Sequence, residues 1–307
     1  MIFLLNKFYF VTNNEIMKEV ILQRKLSDGS QLKAVFLPEQ GMNLASYKKN
    51  EIEAIDQSTK EQFEERMGGL GPLIGPHFYH RKPSDIPFVP DETIFPHIAR
   101  IKSKENIEPF SHGIARYVRW NWNASDTSIE GRLSGMDTYK GVTLAALEGF
   151  DFQMKFNAHL SDDGLHIELI VNSESKPSIA GLHYYLATSE GKGSVKMNCE
   201  EKYNDMGVWK PIPKDWQEDD PNHLRFDLNE ESDYGFRPLS ENFSGDALLT
   251  TKSHQLKIHY KADSDEHAFQ LYHPKGASFV CIEPVTAKNP RDAKQKKNHL
   301  RVNLEII

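Results

Sequence analysis

AFQLYHPKGASFVCIEPVTA, residues 268–287, reads as two short apolar strands, Phe269–Tyr272 and Ser278–Ile282, flanking a turn at Pro274–Gly276. The second strand delivers Glu283 straight after Phe279-Val280-Cys281-Ile282, and Pro284 follows. Pro lacks the N–H that a ladder needs, so the strand is expected to stop there. Burying an ionised carboxylate costs several kcal/mol unless it is paired or hydrogen-bonded. Glu283 is therefore expected at a strand end, aimed into a cleft. The alternative is a structural Glu that holds a loop, since a perturbed carboxylate need not be catalytic.

The same grammar of short strands runs outward through the chain. Val20–Lys25 and Gln31–Pro38 form a pair across Asp28-Gly29-Ser30. Ser128–Leu133, Val142–Leu147, Phe152–Leu160, Leu165–Asn172, Ser194–Glu200, Leu224–Leu228, Ala247–Thr251, Gln255–Lys261 and Leu300–Ile306 follow. Arg116–Trp122, rich in aromatic and β-branched residues, also reads as a strand. Helix is scarce: Gln57–Arg66 is one short candidate, with Ser58 as its cap. Lys82–Asn106 and Tyr203–Asp220 read as loops, and the basic run Arg291–Lys297 as a solvated face. About fifteen short strands and no linker or repeat argue for one all-β sandwich or barrel domain over residues 17–307. Residues 1–16 are expected to be an N-terminal extension or a first strand.

Composition narrows the function. The chain has 307 residues, 38% of them hydrophobic, and a formal net charge of -7. That balance argues against nucleic acid as a partner, because phosphate-backbone binding needs a clustered basic surface. The two cysteines, Cys199 and Cys281, make no disulfide framework. A cytoplasmic protein is expected. No apolar run approaches membrane-spanning length, so no membrane partner is expected.

Four histidines occupy positions that could carry chemistry. The glycine- and proline-rich run Met67–Arg81 excludes regular structure and lacks the spacing of a phosphate loop. It ends in His77-x-x-His80-Arg81 and resembles a cleft wall. Two histidines at that spacing could ligate a metal, but no third ligand is suitably spaced, and no metal or cofactor is expected. His112 precedes Gly113 at a strand entrance, and Gly lets backbone approach closely. His183 lies in the apolar run Pro177–Ala187, either as a satisfied core histidine or as a groove residue. Asp233 stands in Ser232-Asp233-Tyr234-Gly235-Phe236.

Taken together, His112-Gly113-x-Ala115-Arg116 with Trp120, Gly181-x-His183-x-Tyr185, and Cys281-Ile282-Glu283-Pro284-x-Thr286 resemble, in that chain order, the aldose 1-epimerase (galactose mutarotase) superfamily. The first motif is more similar to its glucose-6-phosphate 1-epimerase branch and the last to its galactose mutarotase branch. The resemblance implies a β-supersandwich of two large antiparallel sheets and cofactor-free interconversion of the α and β anomers of a sugar or sugar phosphate. It implies Glu283 as general base, His183 as general acid protonating the ring oxygen, and His112 as a second histidine near the same oxygens. Asp233, Arg81 and Arg116 would bind substrate. A monomer or weak dimer is expected. A non-catalytic carbohydrate-binding protein on the same scaffold stays open, since a fold does not fix a function.

Overall fold

A computed structural model describes residues 9–12, 15–218 and 222–307. Most of segment 1–16 lies outside those residues; within it, Tyr9–Thr12 pairs antiparallel with Glu15–Lys18. The remainder is all-β, as expected. A sixteen-stranded antiparallel sheet carries most of the chain, thirteen of its strands in one path, beside a four-stranded sheet of Val20–Lys25, Gln31–Leu37, Asn43–Lys49 and Ile52–Glu53.

The long strand Ser194–Asp205 divides the path. Its first half pairs with Ser244–Thr250 and its second half with Ser232–Pro238, with a register shift between Cys199 and Tyr203. Such an irregularity bends a strand and lets it serve two layers. Beyond Ser232–Pro238 come Ala268–His273, Phe279–Val285, Gly181–Leu182 and Leu73–Ile74. Beyond Ser244–Thr250 come Gln255–Ala262, Lys297–Ile306, Gly164–Asn172, Gln153–Ser161, Ser128–Ser134 and Asn121–Ala124.

Patterning explains which face of each strand is buried. Gln255–Ala262 and Gln153–Ser161 alternate exposed and buried residues with the strand period. Phe279–Val285 is buried at all of its positions. Its alternate side chains still part company. Ile282 and Pro284 meet Ile258, Val302 and Leu304 of the opposing layer in the core. Cys281 instead packs with Tyr185 and Phe279 on the other face, the face that also carries Glu283.

Several local expectations need correction. The strand runs through Pro284 to Val285, with Phe269 opposite Pro284. It survives there because its other neighbour is interrupted between Gly181–Leu182 and Tyr185–Ala187, leaving less for an N–H to satisfy. Ile114–Tyr117 is a 3₁₀ turn and only Asn121–Ala124 is a strand, since Arg116 is held by Leu73 O and Trp120 by Ala115 O rather than by a ladder. Leu144–Glu148 and Pro96–Lys102 are short helices, the latter with Pro at its first position, where the missing N–H is harmless. Asp56 rather than Ser58 caps the turn before helix Lys60–Arg66, accepting the Ser58 N–H at 2.8 Å. The expected loop from Tyr203 includes a hairpin arm, Val208–Pro211, paired with the end of Ser194–Asp205; residues 219–220 of it lie outside the described residues. No helix among the described residues is long and apolar enough to cross a membrane.

Candidate active site

Strand register builds the centre of the site. Gly181 lies opposite Val285 and Tyr185 opposite Cys281, in one continuous register. His183 therefore stands across from Glu283, although the ladder is open between them. The N–H groups there are taken from the other side: His183 donates to Pro72 O at 3.0 Å and Tyr185 to Leu70 O at 2.8 Å. The glycine- and proline-rich loop thus holds the histidine segment against the Glu283 strand. His183 Nε2 ends 3.3 Å from Glu283 Oε1, with both side chains almost wholly buried. The imidazole stacks on Tyr185, ring centroids 5.0 Å apart, which fixes its plane.

His112 arrives from a separate turn. Its ring lies 5.1 Å from that of His183 at 86° and is flanked by Phe78 at 4.9 Å. The turn depends on Gly113 at φ +93, where an added Cβ would fall 2.0 Å from Gly75 O. Gly75 N–H in turn donates to His112 O at 2.9 Å. Backbone meets backbone here, so nothing can yield cheaply. Gly113→Ala is expected to displace the His112 turn and to unfold at lower urea, which a urea titration checks.

These residues form the floor of a groove of about 400 Å³. Arg66, Tyr79, Asp233, Gln270, Tyr272 and Arg291 line its walls. Of the residues expected from sequence, Glu283, His183, His112, Arg116 and Asp233 line this groove. Arg81 does not. Its guanidinium is buried against Glu108, with Nη2 at 2.6 Å from Oε1 and Nε at 3.0 Å from Oε2, and Nη1 donates to Glu148 O at 2.7 Å. A bidentate buried pair with a third bond commits the guanidinium to this network and not to the groove. Burial pushes the Glu108 carboxyl up, but Arg81's hydrogen bonds and charge outweigh it and hold it below its ordinary value. His77 belongs to the same network through Nδ1 and Glu148 Oε1, while His80 stacks on Tyr79, so the two do not converge as a ligand pair. Glu148 also accepts the Ile114 N–H at 3.0 Å, tying this network to the His112 turn.

Arg66, Arg291, Gln270 and Tyr272 were not foreseen. The last two were readable by alternation: Gln270 sits opposite Glu283 and Tyr272 opposite Cys281 on the neighbouring strand. Arg66 and Arg291 end a helix and follow a loop, and only tertiary folding carries them to the groove.

Burial dominates the electrostatics. It pushes the Glu283 carboxyl well above the ordinary carboxylate range; Asp233 adds to the rise, and the Arg116 charge opposes it. Burial, then Arg116, depresses His183 to about 3. Burial, then Arg116 and His183, places His112 well below its ordinary value. Both imidazoles are therefore neutral at neutral pH. Arg116 is itself buried, with Nε and Nη2 both donating to Leu73 O at 3.1 and 2.9 Å. The floor thus holds a carboxyl and an imidazole in contact under a fixed positive field. Such a pair can pass a proton to and from one ligand.

No family model matches the chain, and no curated protein matches it. Solved structures do. A galactose mutarotase-like protein from Lactobacillus casei superposes with a TM-score of 0.65 at 16% identity, covering 94% of this chain and 100% of that one. The Slr1438 protein from Synechocystis sp. PCC 6803 gives 0.63 at 18% identity, covering 96% and 99%. A putative aldose 1-epimerase from Escherichia coli K12 gives 0.60 at 14% identity, covering 94% and 99%. The likeness spans nearly the whole of each chain, and with the sandwich described above it shows that this protein has the galactose mutarotase-like fold.

Proposed function

We propose that the protein is an aldose 1-epimerase, interconverting the α and β anomers of a hexose by ring opening and reclosure. The observation that carries this reading is the 3.3 Å contact of His183 Nε2 with Glu283 Oε1 on the groove floor, beside His112. Anomerisation needs one group to take the proton of the anomeric hydroxyl while another protonates the ring oxygen. A carboxylate and an imidazole suit both tasks near neutrality.

The pair titrates as a unit and holds one proton between its members. In the reacting arrangement that proton is on His183 and Glu283 is ionised, a distribution the Arg116 charge favours at the carboxylate. Glu283 accepts the hydroxyl proton as the C1–O5 bond breaks, and His183 protonates O5. The open aldehyde turns about C1–C2 and recloses on its other face, returning both protons. His112 hydrogen-bonds the same oxygens, while Asp233, Arg116, Gln270 and Tyr272 bind hydroxyls. The protein acts as a cytoplasmic monomer or weak dimer.

Arg66 and Arg291 on the walls favour a second version in which the sugar carries a phosphate, since guanidinium groups pair well with phosphate oxygens. Exchange NMR between anomers of glucose, galactose and glucose 6-phosphate tests both versions. Acceleration of at least one is expected, and the preferred substrate chooses the version. Sugar binding with no acceleration for any of them would replace the enzyme with a carbohydrate-binding protein.

A further inference from the structure

Cys281 has no part in the anomerisation just described, yet it lies fully buried beside the reacting pair. His183, Cys281 and Glu283 each present a ligand atom, and these atoms all lie within 4.8 Å of one another. We propose that the groove floor is also a binding site for a thiophilic divalent cation such as Zn²⁺, held by His183 Nε2, Cys281 Sγ and the Glu283 carboxylate, and that the occupied site excludes the sugar. This inference uses the residues of the proposed reaction, but the binding itself does not depend on that reaction.

The fold sets the three groups out for the purpose. Cys281 and Glu283 are two apart on one strand and so share a face. His183 stands opposite Glu283 in the neighbouring segment, and Tyr185, opposite Cys281, fixes the imidazole plane by stacking. Tetrahedral zinc with Zn–N near 2.0 Å and Zn–S near 2.3 Å requires ligand atoms about 3.3–3.7 Å apart. The His183–Glu283 pair already stands at 3.3 Å, and from separations within 4.8 Å the sulfur must close in by about 1.5 Å at most. Mixed nitrogen, sulfur and oxygen ligands suit zinc rather than magnesium or calcium.

Three protein ligands leave a fourth position, and here it opens onto the groove. On binding, the Cys281 thiol and the His183–Glu283 pair each give one proton to bulk water. Thiolate and carboxylate then balance the two charges of the cation, so the floor gains no net positive charge beside buried Arg116. The bound ion takes the imidazole nitrogen and the carboxylate that the sugar would use.

Titration of the full chain with Co²⁺ reads the site directly, because a thiolate ligand adds a near-ultraviolet charge-transfer band to the tetrahedral visible spectrum. One equivalent is expected to produce the band and Zn²⁺ to displace it. Cys281→Ser is expected to abolish it, Cys199→Ser to leave it, and Glu283→Gln to weaken cobalt binding at least tenfold. No band, or a band that persists in Cys281→Ser, overturns the site. A band in a protein that accelerates no anomer exchange leaves this inference standing and removes the epimerase reading. Exchange that proceeds undiminished with one equivalent of Zn²⁺ bound overturns the exclusion of sugar.

Discussion

Glu283→Gln is expected to lower the rate of anomer exchange by about 10²–10⁴-fold, the typical contribution of one general base. The substitution keeps shape and volume and removes only the capacity to hold a negative charge. Glu283 is 2% exposed, so a repacking cost would be visible as a loss of stability. None is expected: burial holds the native carboxyl well above its ordinary range, and a neutral amide relieves that penalty. The loss should fall on kcat, with KM moving little, because the amide can still hydrogen-bond the anomeric hydroxyl. Exchange NMR and thermal unfolding on the same preparation separate the two effects. A variant that turns over like the wild type would sink the proposed mechanism. One that is inactive but has also lost several degrees of melting temperature would show Glu283 to be structural.

How far the sequence carried these conclusions depends on how local each cause is. The all-β sandwich was legible because alternation is a two-residue signal that survives in Gln255–Ala262, Gln153–Ser161 and Gly164–Asn172 without tertiary help. Glu283 was legible because a carboxylate at the end of an apolar run is anomalous wherever the strand ends up. The strand's continuation through Pro284 was not, since it depends on an interruption in a neighbour almost 100 residues away in sequence. Arg81 failed for a related reason. Its neighbours in sequence pointed to a cleft, but its partner Glu108 arrives from a distant loop and neutralises it in a buried pair. Arg66 and Arg291 were missed because each sits in a short helical element whose direction only packing fixes. Ala115 O and Leu73 O hold Trp120 and Arg116, and that turned an expected strand into a 3₁₀ turn. Helix propensity and β-propensity alike are weak against such anchors.

Acid should unfold the protein well before its carboxylates titrate. Burial is the leading cause in every histidine held below its ordinary value and acts most strongly in four: it brings His97 and His267 to about 4, His183 to about 3 and His112 well below the ordinary 6.5. Each is neutral when folded and takes up a proton on unfolding, so each contributes stability that is present above about pH 6.5 and lost as pH falls toward its folded value. Glu283 works in the opposite sense. Its raised carboxyl binds a proton more tightly when folded, so it gains stability over part of the same range and cancels roughly one histidine. About three protons remain in favour of the unfolded chain. At about 1.4 kcal/mol per proton per pH unit, unfolding free energy should fall by roughly 4 kcal/mol between about pH 6 and 5. Native domains hold only about 5–15 kcal/mol in total, so the urea midpoint should collapse between about pH 6 and 5. His97→Gln gives the sharper check, because the amide can still donate to Pro109 O, as His97 Nε2 does at 2.7 Å, yet cannot be protonated. Its slope against pH should shrink by about one proton whatever its stability at pH 7. A urea midpoint that stays flat from pH 7 to 5, or a His97→Gln slope equal to that of the wild type, would show that these imidazoles are reached by water and are not held neutral by the fold.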